Sequence, residues 1–598
     1  MFKTHATESI IIRLDSLAQI LLIVGIFCLI FTLAHRAIFD SDIWLHLKTG
    51  EYIVQNKTIP VRDVFSFSMP DKPWTDHSWV FQILTYLVYN KWQADGLIFL
   101  ESLLTAMFFF ILFLIGSRTI GSYLEVGTLL VLTAFASITK FSIRPELFSY
   151  IFFSLYLYFL WFHINDNIIW LLVPLQILWV NIHGYFFLGP LLILLFIAPD
   201  LLRRKALKRL KKLLLFVALA CLINPRGFVG AIYPAFVAKE ALSGRMQIFL
   251  EHVQELQPTL RLGGDLGAFF HMIYYAIIVF CIISMAINIR RIKISDIVIF
   301  SFFFLFSLLW RNIIFFLAVC YIIIASNTAH IFKKISANIG KPESFRQKLY
   351  FLLRGTATLL FVIWLGFSVA DIVKRTYYDF DSKNFKSHIS GVDLRNYPAK
   401  AVDFILENDI PGHMFNDFNS GSYLIGRSFP KRRVFIDGRT EFYGPLFFKE
   451  YMDAVRKDTS AFENIAHKYN ITSVLMSMAV IPEPDPLIGY LYGSPEWRLV
   501  YFDAAAVIFL KDTPENSGII KKYKIDFHKY AVPRADFKAL RINAIYPTPY
   551  IKRAYVLCLF REDELAMLEC AEALRVMPGC PEALSLIAKI QKRRQISQ

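Results

Sequence analysis

Charge is scarce in this 598-residue sequence. Asp, Glu, Lys and Arg make up 19% of it, against about 25% in an ordinary soluble chain. With 56% hydrophobic and 16% aromatic residues, that shortage excludes a string of soluble domains. Cysteine is sparse too. The seven cysteines are scattered: Cys28, Cys221, Cys281 and Cys320 in apolar stretches, and Cys558, Cys570 and Cys580 near the C-terminus. No CxxC spacing occurs, so neither a zinc site nor a disulfide framework is implied. The N-terminus also lacks the charged region, short apolar region and cleavage site of a secretory signal. The first apolar run is therefore expected to stay as an anchor.

Apolar runs are abundant. Stretches such as "LLTAMFFFILFLIGS" and "VIFSFFFLFSLLW" approach the roughly 20 residues that cross a bilayer. About eleven spans are expected, near 17–38, 95–116, 123–140, 146–163, 167–182, 184–201, 212–224, 267–289, 295–310, 311–331 and 350–370. The net charge of +16 is concentrated between some of them, in "RRKALKRLKK" (203–212), "RRIK" (290–293) and the basic stretch 333–348. Lys and Arg favour cytoplasmic loops. With the N-terminus inside, alternation places all three clusters on that side, so the charge reads as topology and not as nucleic-acid binding.

The same alternation gathers the unusual polar segments on the opposite face. They are the loop 39–94, "KFSIRPEL" (140–147), "NIHGYF" (181–186), "NPRGF" (224–228) and "WRN" (310–312). Within the loop, "DIWLHLKTGEYIV" and "SWVFQILTYLVYNKW" are expected as two helices lying along the membrane interface. Ile43, Leu47 and Val54 would share one side, with Trp44 and Tyr52 at headgroup level. From 372 the pattern changes, and short β-rich runs alternate with helical ones, predicting an extracytoplasmic α/β domain over 372–515. There "FNDFNSGSYLIGR" and "RRVFIDGRTEFYG" are expected as strand-to-loop junctions. They carry Asn416, Asp417, Asp437, Arg439 and Glu441, as turn formers or as an acceptor site. The segment 516–598 predicts a short helical tail like a tetratricopeptide unit. Residues 1–371 form the transmembrane domain, and the fold class is an α-helical polytopic membrane protein with these two C-terminal additions.

Candidate chemistry begins at "FDSDIWLH". Asp40 and Asp42, next to His46, follow the first span directly. Two carboxylates so spaced suit a divalent cation such as Mg or Mn, or one can serve as general base for a hydroxyl. Alternatively both are solvated at a membrane exit and Asp40 caps the next helix. Arg144 and Glu146 flank Pro145 at a span start, where they could equally be a snorkelling cation and a helix-terminus acid. Asn181 and His183 sit in a nearly apolar stretch, where a lone histidine often only bonds another helix. Arg311 lies between two Phe-rich spans, where an unpaired cation is very unfavourable and a lipid phosphate is a natural partner. Asp76 and His77 precede the second interfacial helix. Converging near one leaflet, these residues would hold a lipid phosphate while a carboxylate takes a hydroxyl proton.

A first span ending in acids, a long external loop with two helices, about eleven spans and a C-terminal external domain resemble the C-type (GT-C) membrane glycosyltransferases. The resemblance implies transfer of a sugar from a polyprenyl-phosphate or polyprenyl-diphosphate donor outside the cytoplasm. It gives Asp40 or Asp42 the role of catalytic base or metal ligand. The chain is still more similar to a group of bacterial multi-pass membrane proteins. It shares with them "DSDIWLHLKTGEYI", "PWTDHSW", "RPELFSY", "WVNIHGYFFLG", "NPRGF", "NSGSYLIGR" and "VFIDGRTEFYG", over most of 38–510. Ser78 stands where those proteins tend to have an acid, which argues against catalysis by the "HSW" motif. Ser420 and Gly421 stand where they often have paired glycines.

The expected function is transfer of a sugar or glycan from a polyprenyl-phosphate-linked donor to a glycan, lipid or protein acceptor. The expected location is the inner (plasma) membrane, with the C-terminal domain outside. Two other readings remain. One is a non-catalytic scaffold for envelope polysaccharide assembly, whose working parts would be the C-terminal domains. The other is a lipid-linked glycan transporter. Against the transporter, the polar residues gather at one face instead of the midplane, with no clear inverted repeat.

Overall fold

Apolar runs fold as helices because, in lipid, each backbone N–H and C=O must find its partner within the segment. A computed structural model describes residues 2–202, 208–259, 268–338, 345–374, 390–478, 486–535 and 547–597. Parts of the expected basic clusters (203–207 and 339–344), the first residue of the expected span 267–289, and parts of the C-terminal domains (375–389, 479–485 and 536–546) lie outside the described residues.

The membrane domain runs α1 (Phe2–Ala34), α2 (Asp42–Asn56), α3 (Trp79–Ile120), α4 (Tyr123–Ser137), α5 (Glu146–Phe162), α6 (Leu172–Val180), α7 (Leu188–Leu202), α8 (Lys208–Ala220), α9 (Gly227–Leu242), α10 (Gln247–His252), α11 (Ala268–Ile287), α12 (Ile294–Phe306), α13 (Ile313–Asn338) and α14 (Phe345–Val373). Six helical stretches among the described residues are long and apolar enough to cross a membrane: Ser16–Ala34, Trp79–Ile120, Tyr123–Lys140, Phe270–Ile287, Trp310–His330 and Leu352–Val373. Four expected spans are shorter apolar helices, Glu146–Phe162, Asn167–Val180, Gly184–Pro199 and Ile294–Phe306. The expected span at 212–224 is α8, which ends at Ala220.

The two expected interfacial helices take different places. The second runs into the following span as one helix, α3, broken at Gln93 by a positive φ of 53°, a conformation non-glycine residues seldom adopt. The first, α2, is buried between α3 and the C-terminal domain. Ile43 and Leu47 are buried but Val54 is exposed. Trp44 is not at a lipid headgroup surface, since its ring meets Tyr423, Tyr89 and Tyr397 at 5.3, 6.0 and 6.0 Å. An aromatic-rich amphipathic face suits a protein surface as well as a lipid one.

The C-terminal domain runs α15 (Ala399–Glu407), β1 (His413–Asn416), α16 (Phe418–Ser428), α17 (Thr440–Tyr443), α18 (Pro445–Arg456), α19 (Thr459–Lys468), β2 (Ile471–Ser477), α20 (Pro486–Gly493), β3 (Trp497–Phe502), β4 (Ala506–Lys511) and α21 (Ser517–Tyr523). The sheet order is β1-β2-β4-β3. β1 is parallel to β2, and β4 is antiparallel to both neighbours. β2 and β4 are central and buried on both faces along most of their length. "SYLIGR" is helix, because Asp417 caps α16 by accepting from the N–H groups of Asn419 and Ser420. "RRVFIDGR" is no strand of the sheet. Instead Val434 pairs with Ser66 of the long loop, with Phe67 N donating to Val434 O at 3.0 Å and Val434 N to Phe65 O at 2.9 Å. The tail is three helices, α22 (Thr548–Leu559), α23 (Asp563–Val576) and α24 (Pro581–Ser597). Phe560 at its first turn stacks on Tyr492 at 4.1 Å.

Buried charge fastens the sheet domain to the loop 57–78. Arg439 pairs with Asp437 through Nε and Nη2 at 2.8 and 2.7 Å, and Nη1 reaches Asp63 at 2.7 Å. Its guanidinium also faces Phe442 at 4.5 Å and Trp74 at 4.7 Å, favourable cation–π geometry. Arg439→Met removes the cation and leaves two buried acids uncompensated. It should cost about 3–5 kcal/mol, read as a lowered Tm of the purified full-length protein.

Candidate functional site

One cavity of about 760 Å³ lies where the membrane domain, the loop and the sheet domain meet. That volume suits a ligand larger than a monosaccharide. Asp42, His46, Asp76, His77, Arg144, Glu146, His183 and Arg311 all line it. They come from α2, the loop before α3, and the polar ends of α5, α7 and α13, so residues distant in sequence share one space.

Arg144 is the hub. Its Nε bonds Asp40 Oδ2, its Nη2 bonds Asp40 Oδ1 at 3.0 Å and lies 3.2 Å from Asp42 Oδ2, and its Nη1 bonds Glu255. Both oxygens of Asp40 are thereby engaged, and Asp40 is not among the residues lining the cavity. Its Oδ1 also accepts from Asp42 N at 3.0 Å. Asp40 thus holds Arg144 and Asp42 in place, and of the two acids only Asp42 lines the cavity. The expected cation between Asp40 and Asp42 does not fit this arrangement, because the guanidinium occupies that place. Among the described residues, no three of His, Cys, Asp and Glu are grouped to hold a metal ion.

Asp42 keeps 33% of its side chain open to the cavity. Burial pushes its carboxyl up to about 7, helped by the nearby charges of Asp40, Glu255 and Glu146 and opposed by Arg144. Behind it stands Gly438 of the sheet domain, so close that a Cβ there would strike Asp42 Oδ1. A side chain there would push the Asp42 carboxylate aside.

Arg311 donates from Nη2 to Glu146 Oε1 at 2.6 Å and lies over the Tyr185 ring at 5.6 Å. Its Nε is buried without a hydrogen-bond partner. His183 Nε2 is 3.8 Å from the same Glu146 oxygen, and its Nδ1 bonds Ser149 Oγ at 2.8 Å. Burial holds His183 down at about 4, so at neutral pH its contact with Glu146 is not an ion pair. His77 is also pulled down by burial to about 4, and its Nε2 is unpartnered. Burial lifts Asp76 to about 6, and its Oδ1 accepts from Ser78 N at 2.9 Å. His46 contacts Gln82 Nε2 at 3.4 Å.

Asn181 lies apart from the other candidates. It accepts from Trp79 Nε1 at 2.9 Å and donates to Ile177 O and Ile223 O at 2.8 and 2.7 Å. It is a buried tie between three segments and not among the cavity-lining residues. Sequence reasoning passed over Glu255, Gly438 and Tyr185. The signal for Glu255 was its place in 225–266, which alternation puts on the same side as "NPRGF". The cavity contact of Gly438 had no signal beyond the "DGR" turn.

No family model matches the sequence, and no curated protein is similar to it. Solved structures are. A crystal structure of the Archaeoglobus fulgidus oligosaccharyltransferase tethered to an acceptor peptide aligns with a TM-score of 0.52 and 12% identity, over 77% of this chain and 69% of that one. The same organism's oligosaccharyltransferase AglB, in complex with an inhibitory peptide and a dolichol-phosphate, aligns with a TM-score of 0.51 and 12% identity, over 94% of this chain and 86% of that one. This chain has the C-type glycosyltransferase fold. At that identity the likeness speaks for architecture, and the chemistry rests on the residues themselves.

Asn181→Ala removes bonds that hold Trp79 and Ile223 without touching the cavity wall. It should lower stability by about 1–3 kcal/mol, seen as a lowered Tm, while the cell-surface glycan profile stays as in the wild type at matched membrane abundance.

Proposed function

We propose that this protein is an integral-membrane glycosyltransferase that moves a sugar or glycan from a polyprenyl-phosphate-type lipid donor to an acceptor on the extracytoplasmic side. One observation carries the reading. Asp42, a carboxylate raised toward neutrality, shares a cavity with Arg311, whose Nε has no partner, so a proton acceptor and an anion-binding cation lie in one space. The apolar faces of α9 and α10, through Tyr233, Val237, Met246 and Leu250, line the same cavity and suit a prenyl chain. The fold shared with a dolichol-phosphate-binding oligosaccharyltransferase supports this assignment.

In the proposed reaction, Arg311 holds the donor phosphate, with its unpartnered Nε available as a further donor. An acceptor hydroxyl attacks the sugar's anomeric carbon as Asp42 takes its proton. The bond from that carbon to the phosphate oxygen breaks, and the phosphate leaves on the lipid with the bonding electrons. Asp40 and Arg144 hold Asp42 in place. Asp76 and His77 face the sugar. No step runs through a metal ion, since Arg144 stands where the two carboxylates would have held it. The α/β domain would sit on the extracytoplasmic side, with the N-terminus inside.

Asp42→Asn should give a strain the surface glycan profile of a deletion, with wild-type amounts of protein in the membrane. A full wild-type profile in that variant would sink the proposal. Because the base must be ionised, transfer should be weak below about pH 7, rise through it and level off above. A rate independent of pH from 6 to 8, measured in isolated membranes at about constant ionic strength, contradicts that role.

A further inference from the structure

The sheet-domain arm of the cavity contains a cation that the proposed chemistry does not use. Lys552 on α22 is 9% exposed and lines the cavity with Tyr555 of the same helix, Ser477 and Met478 from the end of β2, and Asn419 from the start of α16. Lysine is almost never so buried unless paired. Yet no carboxylate among the described residues lies within the 4.0 Å of an ion pair with its ammonium.

Asp503 and Asp393 act on the ammonium through their charge, but their hydrogen bonds go to other partners. Asp503 accepts from Tyr501 OH at 2.7 Å, Ala505 N at 2.7 Å and Ala506 N at 2.8 Å. Asp393 holds Arg395 through two bonds of 2.7 Å. Asp417, on the cavity wall, accepts from the N–H groups of Asn419, Ser420 and Ser477 and from Ser477 Oγ, at 2.7 to 3.1 Å. Arg456 lines the same cavity. A buried ammonium on a cavity wall, with no carboxylate in ion-pair contact, has hydrogen-bond donors left for an anion.

We propose that Lys552 forms an anion subsite for the acceptor, so that the molecule presenting its hydroxyl to Asp42 also carries a carboxylate or phosphate held by this ammonium. The word acceptor rests on the glycosyltransferase reading, whereas the anion subsite itself does not. The donor phosphate belongs at the other arm, with Arg311, so the two anions are read by separate cations in one cavity.

The test uses the full-length protein in lipid nanodiscs, with glucuronate, glycerol phosphate and glucose as probes. Burial lowers the Lys552 ammonium to about 8, so at mildly alkaline pH it is partly free amine and open to a small acylating reagent, followed by peptide mass spectrometry. Glucuronate, glycerol phosphate or both should slow acylation at Lys552, and neutral glucose should not. Protection by glucuronate alone marks an acidic sugar, and by glycerol phosphate alone a phosphate-bearing chain. Lys552→Met should weaken the protecting anion's binding about tenfold, read as a lost Tm shift, while Lys552→Arg retains it. Equal acylation with all three probes overturns the proposal. If Asp42→Asn still transfers sugar while anions protect Lys552, the enzyme reading fails and the subsite stands. If the reverse holds, the subsite fails and the enzyme reading stands.

Discussion

A guanidinium buried away from water must be matched by acids placed beforehand, and Arg439 takes two from different parts of the chain. Asp437 is its neighbour in sequence, and Asp63 comes from the loop between α2 and α3. Asp63 is itself held, accepting from Ser66 N at 2.8 Å, and Ser66 pairs with Val434. The cation therefore fixes the register between loop and sheet domain, because sliding either part would bury a bare charge. Gly438 lies between Asp437 and Arg439, so the same bonds press its backbone against Asp42. The Asp42 carboxylate is shaped from one side by the membrane domain and from the other by the sheet domain.

That shared construction bears on which parts could be read from sequence. Arg144, Glu146, His183 and Arg311 stood out because each is polar in an apolar stretch, and such residues need partners. Pairing is a physical demand, but its direction is not written locally. Asp40 and Asp42 look alike in sequence, and only the three-dimensional path of Arg144 gives both oxygens of Asp40 to a cation and leaves Asp42 facing the cavity. Asn181 met the same criterion as His183, yet its partners are an indole and two carbonyls. A buried amide is satisfied by backbone as readily as by a ligand. The helix α2 was misplaced for a related reason, since its aromatic face fits lipid headgroups and the tyrosines that cover it equally well. Gly438 stayed invisible because the space behind a glycine belongs to another part of the chain.

The charges around the cavity form an uneven balance. Asp40, Asp42 and Glu255 surround one guanidinium, Arg144, while Glu146 faces Arg311. With all four acids ionised, the cluster would be negative and would repel a phosphate. Burial relieves part of this by holding a proton on Asp42 toward neutral pH. Glu146 does more than neutralise Arg311. By binding Nη2 it fixes the plane of the guanidinium, and a fixed plane binds phosphate better than a free one.

Separation of charge then follows from geometry. A phosphate approaching Arg311 and an acid approaching Asp42 would compete if both bound at one point. The cavity extends from the membrane helices into the sheet domain, where Arg456 and Lys552 line its wall, so there is room for the two at separate points. The sheet domain is thus part of the cavity's electrostatics and not only its cover. The Arg439 contact that fastens this domain therefore also sets where Arg456 and Lys552 join the rest of the cavity wall. Fold stability and the shape of the cavity therefore depend on the same contact.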